Sequence, residues 1–176
     1  MKTSLISCLI LFSIITAYAQ VKPLTFSMGV KADNTIPPKD LYKRGKLWFS
    51  EIFQCSNKTL TLDDPNQGVI AGKGSFPYNP KVTTWSAKTK GAVEYRVKLR
   101  FKEGRYEYEI TDFRHAGSGI SFDLITQEAS CNKEITGASS EWKNQVWNDL
   151  KSQVDANAKA IIKSLISEIS KPGVGN

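Results

Sequence analysis

The sequence contains little of the chemistry on which most enzymes depend, with one histidine and three cysteines among 176 residues. A zinc site or a catalytic triad needs several such side chains, and nothing near His115 in the sequence supplies its partners. We expect His115 to cap a strand that ends at Arg114. After the N-terminus no apolar run approaches the roughly 20 residues of a membrane-spanning helix.

Phosphate-binding and calcium-binding motifs are also missing. Gly72-Lys73-Gly74 lacks the spacing of a phosphate loop, and its glycines are more typical of a strand that either is approached closely by an aromatic ring or has a bulge. Asp63-Asp64 lacks the alternating acidic spacing of a calcium loop and indicates a turn. Asn57-Lys58-Thr59 matches a glycosylation acceptor only by chance. We predict no catalytic, cofactor-binding or metal-binding residue, and therefore no enzyme.

The first 19 residues have the pattern of a signal peptide. Lys2 precedes the apolar run 5–15, and Ala17-Tyr18-Ala19 provides a small-x-small cleavage site, so cleavage is expected near Ala19-Gln20. The mature protein is then periplasmic or secreted in a Gram-negative bacterium, which makes nucleic acid an unlikely partner. An alternative is a lipoprotein whose Cys8 is acylated after cleavage.

Charge and cysteine content leave alternatives open. The full chain carries a net charge of +7, and loss of Lys2 with the leader leaves +6. This balance suits solubility, and also contact with anionic headgroups or acidic glycans. Cys55 and Cys131 remain after cleavage and either form one disulfide or are two separately buried thiols.

Alternating apolar and charged residues predict a β-hairpin. Val93 to Phe101 alternates strictly, and Tyr106 to Ile110 follows a Glu103-Gly104 turn. This register places Phe101 opposite Tyr106, Leu99 opposite Tyr108 and Val97 opposite Ile110 in the core. Outside, Arg100 faces Glu107 and Lys98 faces Glu109. The basic stripe Arg96, Lys98, Arg100 and Lys102 is therefore interpreted as a solvated, charge-paired surface.

Two further strands are predicted from apolar patterning and turn residues. Residues 24–30 form the first, with Leu24, Phe26 and Met28 on one face. Residues 69–76 form the second, after a turn at residues 63–68.

Two helices complete the predicted elements. One begins at Pro37-Pro38 and buries Leu41, Trp48, Phe49, Ile52 and Phe53, ending near Cys55. The other runs from a Ser139 or Ser140 cap to Ser170, with a buried stripe comprising Trp142, Val146, Leu150, Val154, Ala158, Ile161, Leu165 and Ile169. This helix is longer than the sheet is wide. Its end, with Ile161, Ile162, Leu165 and Ile169, either packs on the core or is an interaction surface for a partner or a second copy.

These elements together resemble a known family. The motifs are Leu41-Tyr42-Lys43-Arg44 with Trp48-Phe49, the strand Ile70 to Phe76, the hairpin from Tyr95 to Asp112-Phe113, and the helix that begins at Trp142. They resemble a bacterial family of unknown function that is described as having a TATA-binding-protein-like (TBP-like) fold and consists largely of secreted or periplasmic proteins. The resemblance implies an α+β fold in which a curved antiparallel sheet carries helices on one face. It brings no catalytic residues, and the fold name does not imply DNA binding.

The predicted organisation is a TBP-like domain over residues 20–135 and a C-terminal helix over residues 136–176 that packs on it. For function, we expect a non-enzymatic binding module of the cell envelope, with an envelope protein or a glycan as partner. The alternative is a small-ligand carrier or hydrolase, which a cavity lined by Trp48, Tyr106 and Tyr108 would favour.

Overall fold

The computed structural model describes residues 21–33, 35–53 and 59–171. The predicted leader, Cys55 and Asn57-Lys58 lie outside these ranges. The elements in chain order are β1 (Phe26–Lys31), α1 (Pro38–Phe53), β2 (Leu60–Asp64), β3 (Val69–Tyr78), α2 (Ser86–Thr89), β4 (Gly91–Lys102), β5 (Arg105–Gly117), β6 (Asp123–Leu124) and α3 (Ser140–Ile169). The six strands form one antiparallel sheet in the order β1-β5-β4-β3-β2, with β6 paired to β5.

The hairpin of β4 and β5 has the predicted register. Leu99 lies opposite Tyr108 on one face, and Arg100 lies opposite Glu107 on the other. Gly104 completes the turn with a φ of 64°, a left-handed conformation that glycine adopts without a steric penalty. The hairpin prediction is confirmed in its strands, turn and pairing.

Two glycines allow α1 to lie close against β3. A Cβ atom at Gly72 would lie 2.3 Å from Cζ of Phe49, and one at Gly74 would lie 2.5 Å from Cε1 of Phe53. The expectation that these glycines admit aromatic rings is confirmed. The packing places α1 over β3 and fixes which face of the sheet it covers.

The long helix α3 covers the same face of the sheet. Tyr78 Oη donates a hydrogen bond to Asp149 Oδ2 at 2.8 Å. Trp48 Nε1 on α1 donates to Ser164 Oγ on α3 at 2.9 Å. The predicted α+β fold, an antiparallel sheet with helices on one face and a long C-terminal helix, is therefore confirmed.

A bulge in β5 changes the position expected for His115. The register shifts between Glu94 and Arg96, and Asp112 takes a φ of 59°. The extra residue returns Phe113 and His115 to the core side, and β5 continues to Gly117. The prediction that His115 caps a strand ending at Arg114 is wrong, because the side chain is 1% exposed within the strand.

Helix α1 buries most of the apolar residues that were predicted to form its buried stripe. Leu41, Trp48 and Phe49 are buried, but Ile52 is 44% exposed. Ile52 borders an open cleft at the edge of β3, so the prediction that it is buried is wrong.

Helix α3 begins at the predicted cap, where Ser139 Oγ accepts a hydrogen bond from the Trp142 backbone amide at 3.1 Å. Its end does not project beyond the core, because α1 crosses it. Arg44 Nη1 of α1 donates to the Ile169 carbonyl at 2.9 Å. Leu165 and Ile169 are 1% and 2% exposed.

Of the two alternatives for the end of this helix, core packing is the one that Leu165 and Ile169 show. Ile161 and Ile162 are partly buried and pack against the same core. These four residues do not present the apolar surface on which the interaction hypothesis rested.

Among the described residues, the outer edge of β1 and the edge of β3 beyond β2 have no pairing partner. Met28 on β1 is 59% exposed although it lies opposite the buried Tyr108, because β1 is an edge strand. Beyond Lys73, whose amide donates to the Thr59 carbonyl at 2.7 Å, β3 extends past β2. Pro77 lies in this second unpaired edge.

Across the described ranges, no helix has the length and apolar character needed to cross a membrane.

Candidate functional site

The face of the sheet that the helices leave uncovered, here called the open face, is densely charged. Its residues alternate with the core residues along each strand. The cations outnumber the anions by eight to five: Lys31, Lys73, Arg96, Lys98, Arg100, Lys102, Arg105 and Arg114 against Asp64, Glu94, Glu107, Glu109 and Asp112.

The middle of the open face is organised by ion pairs. Asp112, at the bulge, accepts from Arg96 Nε at 3.1 Å and from Arg114 Nη2 at 3.1 Å. The carboxylate thus lies between two guanidinium groups on neighbouring strands. This agrees with the predicted charge-paired surface.

One end of the open face carries an excess of positive charge. Lys31 lies directly opposite Arg105, and Arg105 lies directly opposite Lys102, so three cations form one row across β1, β5 and β4. Arg100 lies in the adjacent row beside Glu107. We name Lys31, Arg100, Lys102 and Arg105 the basic corner. Like charges directly opposite each other destabilise a sheet, so this row has an energetic cost.

Glu107 partly compensates the basic corner. Its carboxylate accepts from Lys102 Nζ at 3.2 Å and lies 3.6 Å from Arg105 Nη2. The hydrogen bond from Lys102, with the nearby charges of Arg105 and Arg100, holds the pKa of Glu107 below its usual value. Glu107 thus interacts with three of the four cations, and no ion pair of Lys31 is seen among the described residues.

Small side chains on the outer strands create shallow clefts beside this charged ridge. Ser27 and Gly29 on β1 border a cleft of about 370 Å³ next to Lys98 and Arg100. A second cleft of about 240 Å³ lies by Ala71 on β3. The open face is therefore uneven: a ridge of long charged side chains separates two shallow clefts.

The aromatic residues of the four long strands face the helices, and a different part of the molecule exposes an aromatic ring. Trp85, before α2, is 36% exposed and has a φ of 55°. Its ring meets Trp142 edge to face, with the centroids 5.1 Å apart. A cleft of about 340 Å³ beside it is also lined by Glu141 and Gln145. We call this the Trp85 cleft.

His115 has a structural role in the core. Its Nδ1 accepts from the Phe122 amide at 3.1 Å, so Nε2 carries the proton and donates to the Thr89 carbonyl at 2.8 Å. Burial lowers the pKa of the imidazole, which favours the neutral ring. The residue ties β5 to α2 and to the loop before β6. Within residues 21–33, 35–53 and 59–171, no three His, Cys, Asp or Glu side chains are grouped to hold a metal ion.

The side chains expected to line a carrier cavity are core residues. Trp48, Tyr106 and Tyr108 are 2%, 1% and 6% exposed. The Tyr106 hydroxyl is buried and has no hydrogen-bond partner in the part of the chain that the structure describes. Burial raises the pKa of Tyr106 to about 12, so the phenol stays protonated.

Cys131 is a buried thiol near the start of α3. Its backbone amide donates to Asn144 Oδ1 at 3.1 Å, and the thiol forms no disulfide with any residue that the structure describes. Cys55 lies outside the described residues, so the pairing of these two cysteines stays a prediction.

Sequence reasoning found the charges of the open face but missed the basic corner and the Trp85 cleft. The corner depends on β1 lying beside β5, which brings Lys31 to Arg105 across 74 positions of sequence. The signal for the cleft was faint, since Trp85 stands among threonines in a loop.

Comparison with known proteins identifies the family. A model for a domain of unknown function (DUF4468) with TBP-like fold matches residues 26–116. A DUF4468 family protein from Bacteroides ovatus ATCC 8483 has a similar structure, with a TM-score of 0.64 at 15% identity over 88% of this chain and 90% of that chain. A TBP-like protein from Parabacteroides distasonis ATCC 8503 gives a TM-score of 0.55 at 10% identity over 83% and 94%. No curated protein matches the chain. Since the model spans more than half of the sequence, this protein belongs to the DUF4468 family of domains of unknown function with a TBP-like fold.

Proposed function

We propose that this protein is a non-enzymatic binding module of the cell envelope, and that its basic corner binds an acidic segment of a partner protein. The predicted leader supports the location. The row of Lys31, Arg105 and Lys102 is the observation that carries the binding role, because natural proteins break local rules of stability mainly at functional sites.

The chemistry of the open face favours an acidic protein segment over other partners. Its four long strands offer no aromatic ring on which a neutral sugar could stack, since their aromatic residues point to the core. Arg100 and Arg105 present planar guanidinium groups suited to paired contacts with carboxylates. Glu107 and Glu109 also line the Ser27–Gly29 cleft, so the acidic segment contacts the row of Lys31, Arg105 and Lys102 rather than the length of the cleft.

Affinity capture from envelope extract tests the proposal. The mature protein is compared with Lys31→Glu/Arg105→Glu and with a matched control, Lys90→Glu/Lys163→Glu, which makes the same charge change at two exposed sites away from the corner. We expect one acidic protein to be retained by the wild type and the control and lost by the corner variant. Its acidic segment, made as a peptide, should bind the wild type with an affinity that falls steeply with salt.

Equal capture by all three proteins would show that the basic corner is not the binding surface. Equal loss from the corner variant and the control would show a response to net charge alone. Both outcomes overturn the proposal.

A further inference from the structure

Trp85 is held in an unfavourable backbone conformation. Its φ of 55° and ψ of 23° lie in the left-handed region, where a bulky side chain is a genuine outlier. Such strain persists only where the surroundings enforce it, and it concentrates at functional positions. Trp85 is also the one aromatic residue among the large exposed hydrophobic side chains of the described ranges.

Several contacts fix the ring of Trp85 in place. The Trp85 carbonyl accepts from the amides of Lys88 at 2.9 Å and Thr89 at 3.1 Å, which starts α2. Thr89 is in turn bonded to the buried His115. Trp142, which packs edge to face on the ring, donates from Nε1 to the Thr84 carbonyl at 3.0 Å. The exposed indole is therefore positioned before any ligand arrives.

Polar side chains stand beside this indole. Glu141 and Gln145 lie one turn apart on α3, with Glu141 Oε1 and Gln145 Nε2 3.4 Å from each other, and both are exposed. A carboxylate accepts hydrogen bonds and a primary amide both donates and accepts, so the pair can contact adjacent hydroxyl groups. Gly137 closes the other side, where an added Cβ would meet the Trp85 ring at 3.6 Å.

We propose that the Trp85 cleft binds a neutral saccharide of one or two pyranose units. The apolar C–H face of a pyranose packs on the indole, and its equatorial hydroxyls bond to Glu141 and Gln145. A wholly apolar ligand would form no hydrogen bond with either of these two side chains. An anion would meet the Glu141 carboxylate.

A cationic ligand is disfavoured because Lys88 already occupies that role. Its Nζ lies 5.3 Å from the centre of the Trp85 ring. A second cation would meet this charge at close range. A neutral sugar needs only the displacement of an exposed, flexible side chain.

This site is separate from the basic corner. Trp85 and α2 lie before the first residue of β4, whereas Lys102 is the last. Twelve residues of strand place the two ends roughly 40 Å apart. Saccharide binding should therefore be unaffected in Lys31→Glu/Arg105→Glu, and failure of one proposal does not imply failure of the other.

Titration of the mature protein, followed through its four indole N–H resonances, tests the proposal. The probes are maltose, cellobiose, lactose and N,N′-diacetylchitobiose, with choline as a cationic control. We expect at least one disaccharide to shift the Trp85 resonance with a Kd of ~1 mM. Trp85→Ala, which lacks that resonance and is followed through the indole of the neighbouring Trp142, should weaken binding by about tenfold or more, and Glu141→Gln by less. Leu47→Ala, which removes another exposed apolar side chain, is the control and should bind like the wild type.

If Trp85→Ala does not fold, Trp85→Phe replaces it in the test. Phenylalanine retains a smaller aromatic ring, so this variant should bind the disaccharide with reduced affinity. The proposal is overturned if no disaccharide shifts the Trp85 resonance of the wild type, or if both Trp85 variants and Glu141→Gln bind with wild-type Kd. It is also overturned if choline alone shifts that resonance.

Discussion

Neighbouring residues of one strand meet very different conditions on the two faces of this sheet. On β4, Val97 and Leu99 are at most 1% exposed beneath the helices, while Lys98 and Arg100 between them are exposed to solvent. The covered face is close-packed, so its residues are constrained by shape. The open face is constrained by charge, and exposed charges contribute little to stability. Folding energy thus comes mainly from one side of the backbone, and the proposed recognition surface lies on the other.

Alanine substitution at Leu99 and at Arg100 should give the largest difference in the free energy of unfolding. Leu99→Ala removes a fully buried side chain and should lower the free energy of unfolding by about 2–5 kcal/mol. Arg100→Ala should lower it by less than about 1 kcal/mol. Urea denaturation of both variants measures the difference. The reverse ranking would mean that the two faces are wrongly assigned.

Two glycines provide the next comparison. An added methyl at Gly72 would overlap Phe49 and the Thr59 carbonyl, each 2.3 Å away, and should cost about 1–3 kcal/mol or more. At Gly29 on the open face the nearest atom, Cγ of Glu107, is 3.9 Å away, so Gly29→Ala should change stability by less than about 1 kcal/mol. Thermal unfolding of the two alanine variants tests this. Similar shifts in Tm would contradict close packing at Gly72.

Two buried tyrosines sharpen the comparison within the covered face. Tyr78→Phe removes a hydrogen bond to Asp149 and should cost about 1 kcal/mol. Tyr106→Phe removes a hydroxyl that has no partner among the described residues, and should be neutral or stabilising by up to about 1 kcal/mol. Denaturation midpoints of the two phenylalanine variants provide the check. Equal destabilisation would show that the Tyr106 hydroxyl is bonded in solution.

Substitution of His115, the only histidine in the chain, should have the smallest effect on the free energy of unfolding near neutral pH. Burial lowers the pKa of the folded-state ring below its reference value of 6.5, so the unfolded state binds the proton more tightly. Its contribution to stability is complete above pH 6.5 and declines as the pH falls below that value. His115→Gln, which can keep both hydrogen bonds, should flatten the dependence of unfolding free energy on pH between about 7 and 5. An unchanged slope would mean that another group titrates.

The elements that could be predicted were those in which local signals agree. The hairpin combined a glycine turn, strict alternation and complementary charges, and the structure has its register. The start of α3 was set by Ser139, whose cap needs only residues three positions away. The choice between core packing and exposure for Leu165 and Ile169 could not be made from the sequence, because it depends on where α1 crosses α3.

The candidate sites were less predictable than the fold. The bulge at Asp112 is defined by a shift in the pairing of β5 with β4, which the sequence of one strand does not show, and it changed the assignment of His115. The basic corner joins residues from β1 and the hairpin, and its like-charge row contradicts the pairing rule used for prediction. The exposed position of Trp85 depends on the remote Trp142. These features depend on contacts between residues far apart in the sequence, or on departures from local rules, and a sequence pattern shows neither.

Pro77 limits the addition of a further strand at the free edge of β3. The Lys73 amide points to the side of β3 that has this free edge. Because backbone groups alternate in direction along a strand, those of positions 75 and 77 point to the same edge. A foreign strand that docks there needs an N–H at each position, and proline has none. Pairing would stop after Ser75, too short a ladder to hold another chain. This edge therefore resists growth into fibrils even where many copies are crowded together.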